Sequence, residues 1–129
     1  MKAIERWHEI VKARDVDGLD ELLADDVVFH SPVVHTPQRG RTLTKLYLSA
    51  AVMVLGNDSF RYVREVVSGD SAVLEFVTRV GDTEINGVDL IRWNTDDRIC
   101  DFKVMIRPLR AIQLIHQMMG AQLAPQAGS

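Results

Sequence analysis

The stretch from Phe60 to Arg107 constrains the fold most. Four runs rich in β-branched and aromatic residues follow one another there: Phe60 to Val67, Ala72 to Val80, Thr83 to Trp93 and Ile99 to Arg107. The breaks between them are Ser68-Gly69-Asp70, Gly81-Asp82 and Thr95-Asp96-Asp97-Arg98. Breaks this short join antiparallel neighbours, because a parallel crossover needs about a dozen residues. Gly81-Asp82 suits a two-residue hairpin turn. The four runs therefore predict an antiparallel meander. Pro108 ends it and suits the first position of a helix.

The residues before the meander carry helical periodicity. Ile4, Trp7 and Val11 recur at i, i+3 and i+7 and predict a first helix. Asp17 is placed to cap a short second helix, with Asp20 and Glu21 in its first turn, where the helix dipole favours negative charge. Leu19, Leu22 and Leu23 make its buried edge. Val27 to His30 reads as a short strand ended by Ser31-Pro32. A third helix starts near Thr42, with Leu43, Leu46, Tyr47, Ala50 and Val54 on one face, and stops at Gly56-Asn57. After Pro108, Leu109, Ile112, Ile115, Met118 and Met119 form a broad apolar stripe. It predicts a last helix to about Leu123, covered on two sides.

The expected order is α-α-β-α-β-β-β-β-α. That order predicts an α+β fold: a cone-shaped roll in which a curved antiparallel sheet wraps on helices, with a pocket at its open end. A length of 129 residues suits one domain, residues 1–124, followed by a disordered tail at 125–129. The chain carries 15 basic and 18 acidic side chains, a net charge of −3 with no basic cluster. This argues against nucleic acid as a partner. The longest apolar run, Ala50 to Leu55, is far short of the ~18 residues of a membrane helix. No export signal is visible at the N-terminus, so a cytoplasmic location is expected. Cys100 is the single cysteine and reads as a buried structural thiol.

The third strand carries the chemistry. Period-two counting places Gly87, Asp89, Ile91 and Trp93 on one face. Aspartate is poor in strands, and this one shares its face with two large apolar side chains. Phe102 or Val104 of the next strand would pack beside it. Removal from water raises a carboxyl pKa and makes it a hydrogen-bond donor or general acid near neutrality. An edge aspartate bonded to an arginine or to water is the alternative.

The order of elements and three phrases carry a resemblance. They are Ala24-Asp25-Asp26-Val27-Val28-Phe29-His30-Ser31-Pro32, Gly40-Arg41, and Gly87-Val88-Asp89-Leu90-Ile91-Arg92-Trp93 through Arg98-Ile99. From about residue 3 to 108 the chain resembles the nuclear transport factor 2-like superfamily. Its members include ketosteroid isomerases, limonene epoxide hydrolases and SnoaL-type polyketide cyclases. The helix after Pro108 looks like an extension absent from the simplest isomerases. The resemblance implies that Asp89 matches the buried strand aspartate that in ketosteroid isomerases stays protonated and helps to bind an oxyanion. The tyrosine of the first helix falls on Trp7 and the catalytic base falls on Ser31, so the familiar steroid isomerase mechanism does not carry over. The epoxide hydrolase set, two aspartates around an arginine, is not met either. The resemblance also implies a homodimer, and Val88 and Leu90 on the outer sheet face would otherwise expose an apolar strip.

The expectation is then an apolar pocket with Asp89 as acid or orienter and His30, at the end of the first strand, as base. Trp7, Tyr47, Ile91 and Trp93 are expected to line it, together with Phe102, Val104 and Ile106. Tyr62 is a further source of a hydroxyl. His35 lies in a loop, and His116 reads as a helix-surface or dimer-interface residue. No metal ligand set is visible: His30, His35, Asp25 and Asp26 are too loosely spaced. Met105, Met118 and Met119, in the fourth strand and the last helix, read as plain core or as a pocket cover suited to an apolar, flexible ligand. Arg107 and Arg110 read as solvated charges at a helix start, with pairing to acidic residues across an interface or holding an anionic ligand at the pocket rim as the alternatives. Two functions fit: a cofactor-free acid/base enzyme acting on a small hydrophobic carbonyl or ring compound, or a non-catalytic module that binds such a molecule or only dimerises.

Overall fold

The computed structural model describes residues 2–127, with side chains up to residue 123. Helix α1 (Ala3–Ala13), a 3-10 turn (Val16–Gly18) and helix α2 (Leu19–Leu22) precede strands β1 (Leu23–His30) and β2 (Gln38–Arg39). Helix α3 (Arg41–Leu55) leads into β3 (Arg61–Ser68), β4 (Ser71–Val80), β5 (Thr83–Trp93) and β6 (Ile99–Arg107), and helix α4 (Leu109–Ala127) closes the chain. The six strands form one sheet in the order β2-β1-β6-β5-β4-β3.

The meander forms as its turns dictate. Val80 pairs with Thr83 across Gly81-Asp82, and Ser68 with Ser71 across Gly69-Asp70. Gly81 and Gly69 hold φ of 59° and 58°, a left-handed geometry that glycine adopts without strain. The expected all-antiparallel sheet needs one correction: β1 runs parallel to β6. The long connection through α3 and the meander makes that pairing possible. The two-residue β2, paired to β1 through Val28 and Phe29, is a further strand; two residues are too few to show a period.

Other local expectations shift. Strand β1 starts at Leu23 rather than Val27. Asp17 does not cap α2: Gly18 holds that position, without a side-chain hydrogen bond. Pro108 precedes α4 and accepts from the amides of Ala111 and Ile112 at 2.9 and 3.2 Å. Helix α4 continues to Ala127, through the first three residues of the segment read as a tail, while Gly128 and Ser129 lie outside the described residues.

One core joins the helices to the inner face of the sheet. It brings Ile4, Trp7 and Ile10 of α1 and Leu48 and Val52 of α3 together with Phe29, Leu74, Phe76, Ile91 and Phe102 of the strands. Trp7 meets Phe102 edge-on at 4.8 Å between ring centres, a favoured aromatic geometry. The core fills the sheet toward the Trp93 end. Toward the Gly87 end the packing opens into a hollow.

Candidate functional site

The hollow is an apolar cavity of about 200 Å3. Trp7, Phe29, Tyr47, Phe60, Phe76 and Phe102 supply its aromatic wall, and Val104 and Ile106 of β6 line it too. The loop Ser31–Val34 and the face of α4 that carries Ile115, His116, Met119, Gly120 and Leu123 complete it. An engineered cavity of ~150 Å3 is enough to take benzene, so this one suits a molecule of one or two fused rings.

Alternation in β5 puts Ile85, Gly87, Asp89 and Ile91 on the inner face, as period two requires. Asp89 is 5% exposed, flanked by Leu74 on β4 and Val104 on β6. Its partner comes from two strands away. Tyr62 on β3 reaches across β4, and its hydroxyl donates to Asp89 Oδ2 at 2.6 Å. From the helical side, Trp7 Nε1 donates to the Tyr62 oxygen at 2.9 Å. The three side chains form one directional chain, Trp7 to Tyr62 to Asp89, along the cavity wall.

The electrostatics follow from this geometry. An ionised carboxylate has about four acceptor sites. Tyr62 is the one side chain among the described residues that donates to Asp89. Burial pushes the Asp89 pKa up to about 7, against a smaller lowering by the Tyr62 hydrogen bond. Tyr62 itself is pushed well above the ordinary tyrosine range, first by burial and then by the Asp89 charge beside it. The 2.6 Å separation lies in the range of charge-assisted O–H···O⁻ bonds. Near neutrality the pair therefore holds either one hydrogen or two. With one, Tyr62 gives it to the carboxylate. With two, the Trp7 N–H still satisfies the Tyr62 oxygen, and one O–H is left over for a ligand in the cavity.

Trp7, Tyr47, Phe102, Val104 and Ile106 stand on the cavity wall. Three expectations fail. Ile91 is buried core, paired with Phe102, and does not line the cavity. Trp93 lies further along, past a register shift after Arg92, and is half-buried against the core. His30 does not face Asp89. Val27 and Phe29 take the inward positions of β1, after a register irregularity between Leu23 and Val28. His30 therefore points to the outer face, where its Nε2 meets Asp101 Oδ2 at 3.2 Å.

Conversely, His116 lines the cavity rather than lying on the helix surface alone. Ser31 lines the cavity, and its Oγ accepts from the amide of Val33 at 3.0 Å. Arg107 does not line the cavity, and its Nε donates to Asn86 Oδ1 at 2.9 Å. Met119 lines the cavity, whereas Met105 is exposed on β6. Among the described residues no group of three His, Cys, Asp or Glu side chains could hold a metal ion. No described helix is long and apolar enough to cross a membrane.

Residues 4–102 match the family model of the SnoaL-like domain. The chain belongs to the SnoaL-like domain family. No curated protein matches it. Among solved structures it is similar to a steroid delta-isomerase from Pseudomonas aeruginosa, with 40% identity, a TM-score of 0.92, and coverage of 98% of this chain and 93% of that one. It is also similar to an uncharacterised protein with a cystatin-like fold from Silicibacter pomeroyi, at 33% identity and TM-score 0.89, covering 97% and 87% of the two chains. A nuclear transport factor 2-like protein of unknown function from Mesorhizobium loti, at 22% identity and TM-score 0.71 over 82% and 88%, shares the fold. This SnoaL-like domain therefore has the nuclear transport factor 2-like architecture, with the strand aspartate set in an apolar cone.

Proposed function

We propose that this SnoaL-like domain binds a small apolar carbonyl compound of one or two rings and catalyses a proton transfer on it, as an isomerase or cyclase does. The observation that carries the reading is the buried Asp89–Tyr62 pair, 2.6 Å apart on the wall of an apolar cavity. The ligand oxygen takes the spare O–H of the pair when Asp89 is protonated. A donor fixed in a dry site stabilises negative charge that develops on that oxygen, as an oxyanion hole does. The reaction moves only protons, so it requires no cofactor. The similarity to a steroid delta-isomerase supports enolate chemistry; the cavity volume favours a smaller ring system.

α-Tetralone, a bicyclic ketone that accepts hydrogen bonds and donates none, tests the reading. It is expected to bind at pH 6, with its carbonyl stretch shifted to lower frequency. Affinity is expected to fall as pH rises through about 7, because ionised Asp89 consumes the Tyr62 hydrogen. Asp89→Leu leaves Tyr62 its hydrogen at every pH, so ketone affinity in that variant should no longer fall as pH rises, whereas Tyr62→Phe combined with Asp89→Leu removes both O–H donors, worth ~1 kcal/mol or more, and should weaken binding by roughly fivefold to tenfold. Absence of binding, or an unshifted carbonyl band, would refute the reading. A non-catalytic binder is the second reading. It is favoured by Ser31 standing where a catalytic base would, and a bound ketone that never exchanges its α-hydrogens would establish it.

A further inference from the structure

Enolisation needs a proton acceptor as well as a donor, and Asp89 is committed as donor in the reading above, on which this inference rests. Four side chains of the cavity wall have titratable groups: Tyr47, Tyr62, Asp89 and His116. Tyrosines keep their protons in neutral water, and Tyr62 does so more strongly than most. Imidazole is the side chain that both accepts and returns a proton near neutrality. Of the four histidines, His8 is tied to Glu65 at 2.5 Å and His30 to Asp101 at 3.2 Å, both away from the cavity wall, and His35 is exposed in the loop before β2.

The placement of His116 supports the role. It belongs to α4, which supplies Ile115, His116, Met119, Gly120 and Leu123 to the wall of the same cavity that Asp89 of β5 lines. Gly120 lies four residues on, on the same helix face, and also lines the cavity. A Cβ built at Gly120 would meet nothing within 4 Å. The space beside the imidazole is therefore open to a ligand. Ile115 and Met119 flank it with apolar surface that holds a ring.

We propose that His116 is the proton acceptor of the cavity, acting on the carbon next to a ligand carbonyl held by the Asp89–Tyr62 pair. The imidazole nitrogen takes the proton. The C–H electron pair becomes the C=C bond of the enolate, and the carbonyl π pair moves onto oxygen, where the pair's O–H receives it. The imidazolium then returns the proton to the same carbon or to a conjugated one. No oxidant or co-reactant enters.

The test is exchange of the α-hydrogens of α-tetralone in deuterium oxide, followed by proton NMR with the full-length chain. The native chain is expected to catalyse exchange. His116→Ala is expected to lose it by about 100-fold or more, the usual scale of general-base catalysis, with ketone affinity and carbonyl band little changed. Added imidazole is expected to restore part of the rate. The exposed position of His116 makes the variant tolerable to the fold; its thermal midpoint checks this, and His116→Gln provides a second variant. Unchanged exchange in both variants overturns the proposal while the binding reading stands. A native chain that binds the ketone but exchanges nothing overturns it too. A chain that does not bind the ketone overturns both.

Discussion

At the scale of single residues, Asp89 couples the site to folding. Its carboxyl is pushed up from 3.8 to about 7, mainly by burial. Between those values the folded chain holds a proton that the unfolded chain has released. Stability is thus greatest below about pH 4 as far as this group is concerned, and is lost as pH rises to about 7, by at most ~4 kcal/mol. Asp89→Asn removes that dependence. Its thermal midpoint should exceed that of the native chain at pH 8, with the difference shrinking toward pH 5; calorimetry at several pH values reads it directly, and an identical pH dependence in both chains would contradict the burial argument. Tyr62→Phe strands the Trp7 indole N–H and the Asp89 carboxyl together. The cost of a buried polar group without its partner, ~1–3 kcal/mol, should appear in urea unfolding at pH 6. Asp89 was legible in the sequence because an aspartate breaks the apolar alternation of β5. Tyr62 was visible only as one possible hydroxyl, since its partner lies two strands away.

At the scale of elements, parity decides which side chains reach the cavity. Phe76 on β4, Gly87 on β5 and Ile106 on β6 share one row of the sheet. A Cβ at Gly87 would run into the Phe76 ring, which packs on Phe60 and Tyr62. Gly87→Ala should therefore cost ~1–3 kcal/mol through overpacking, as measured by chemical denaturation; a neutral substitution would show that the aromatic cluster yields. The opposite parity governs β1. His30 and Asp101 form a half-exposed pair on the outer face, and such pairs contribute ~1 kcal/mol or less. His30→Ala should leave ketone binding and exchange unaltered, and a loss of either would return His30 to the site. The sequence placed β1 but not its parity, because one irregularity between Leu23 and Val28 is enough to exchange the faces.

At the scale of the whole molecule, the outer face of the sheet carries exposed apolar side chains. Val66, Val73 and Leu90 lie in one row across β3, β4 and β5, with Val88 and Met105 in the next. Val66 and Met105 are 55% and 52% exposed. We propose that a second copy of the chain covers this strip, through an isologous contact about a two-fold axis. Sedimentation should give twice the 14.5 kDa chain mass, and Val73→Arg should give the single mass with the cavity intact. A native chain that sediments as a monomer would refute the proposal.

The sequence by itself determined the elements and one half of the site. Helical and strand periods, short polar turns and Pro108 act over a few residues, so the order of elements, the limits of β5 and β6 and the inward face of Asp89 could be read locally. Only the tertiary structure decided the parallel pairing of β1 with β6, the outward turn of His30, the reach of Tyr62 and Trp7 to one carboxyl, and the descent of His116 onto the cavity. Each of these depends on register between segments far apart in the chain. Register is set by how the apolar faces pack together, and no short window of residues contains that information.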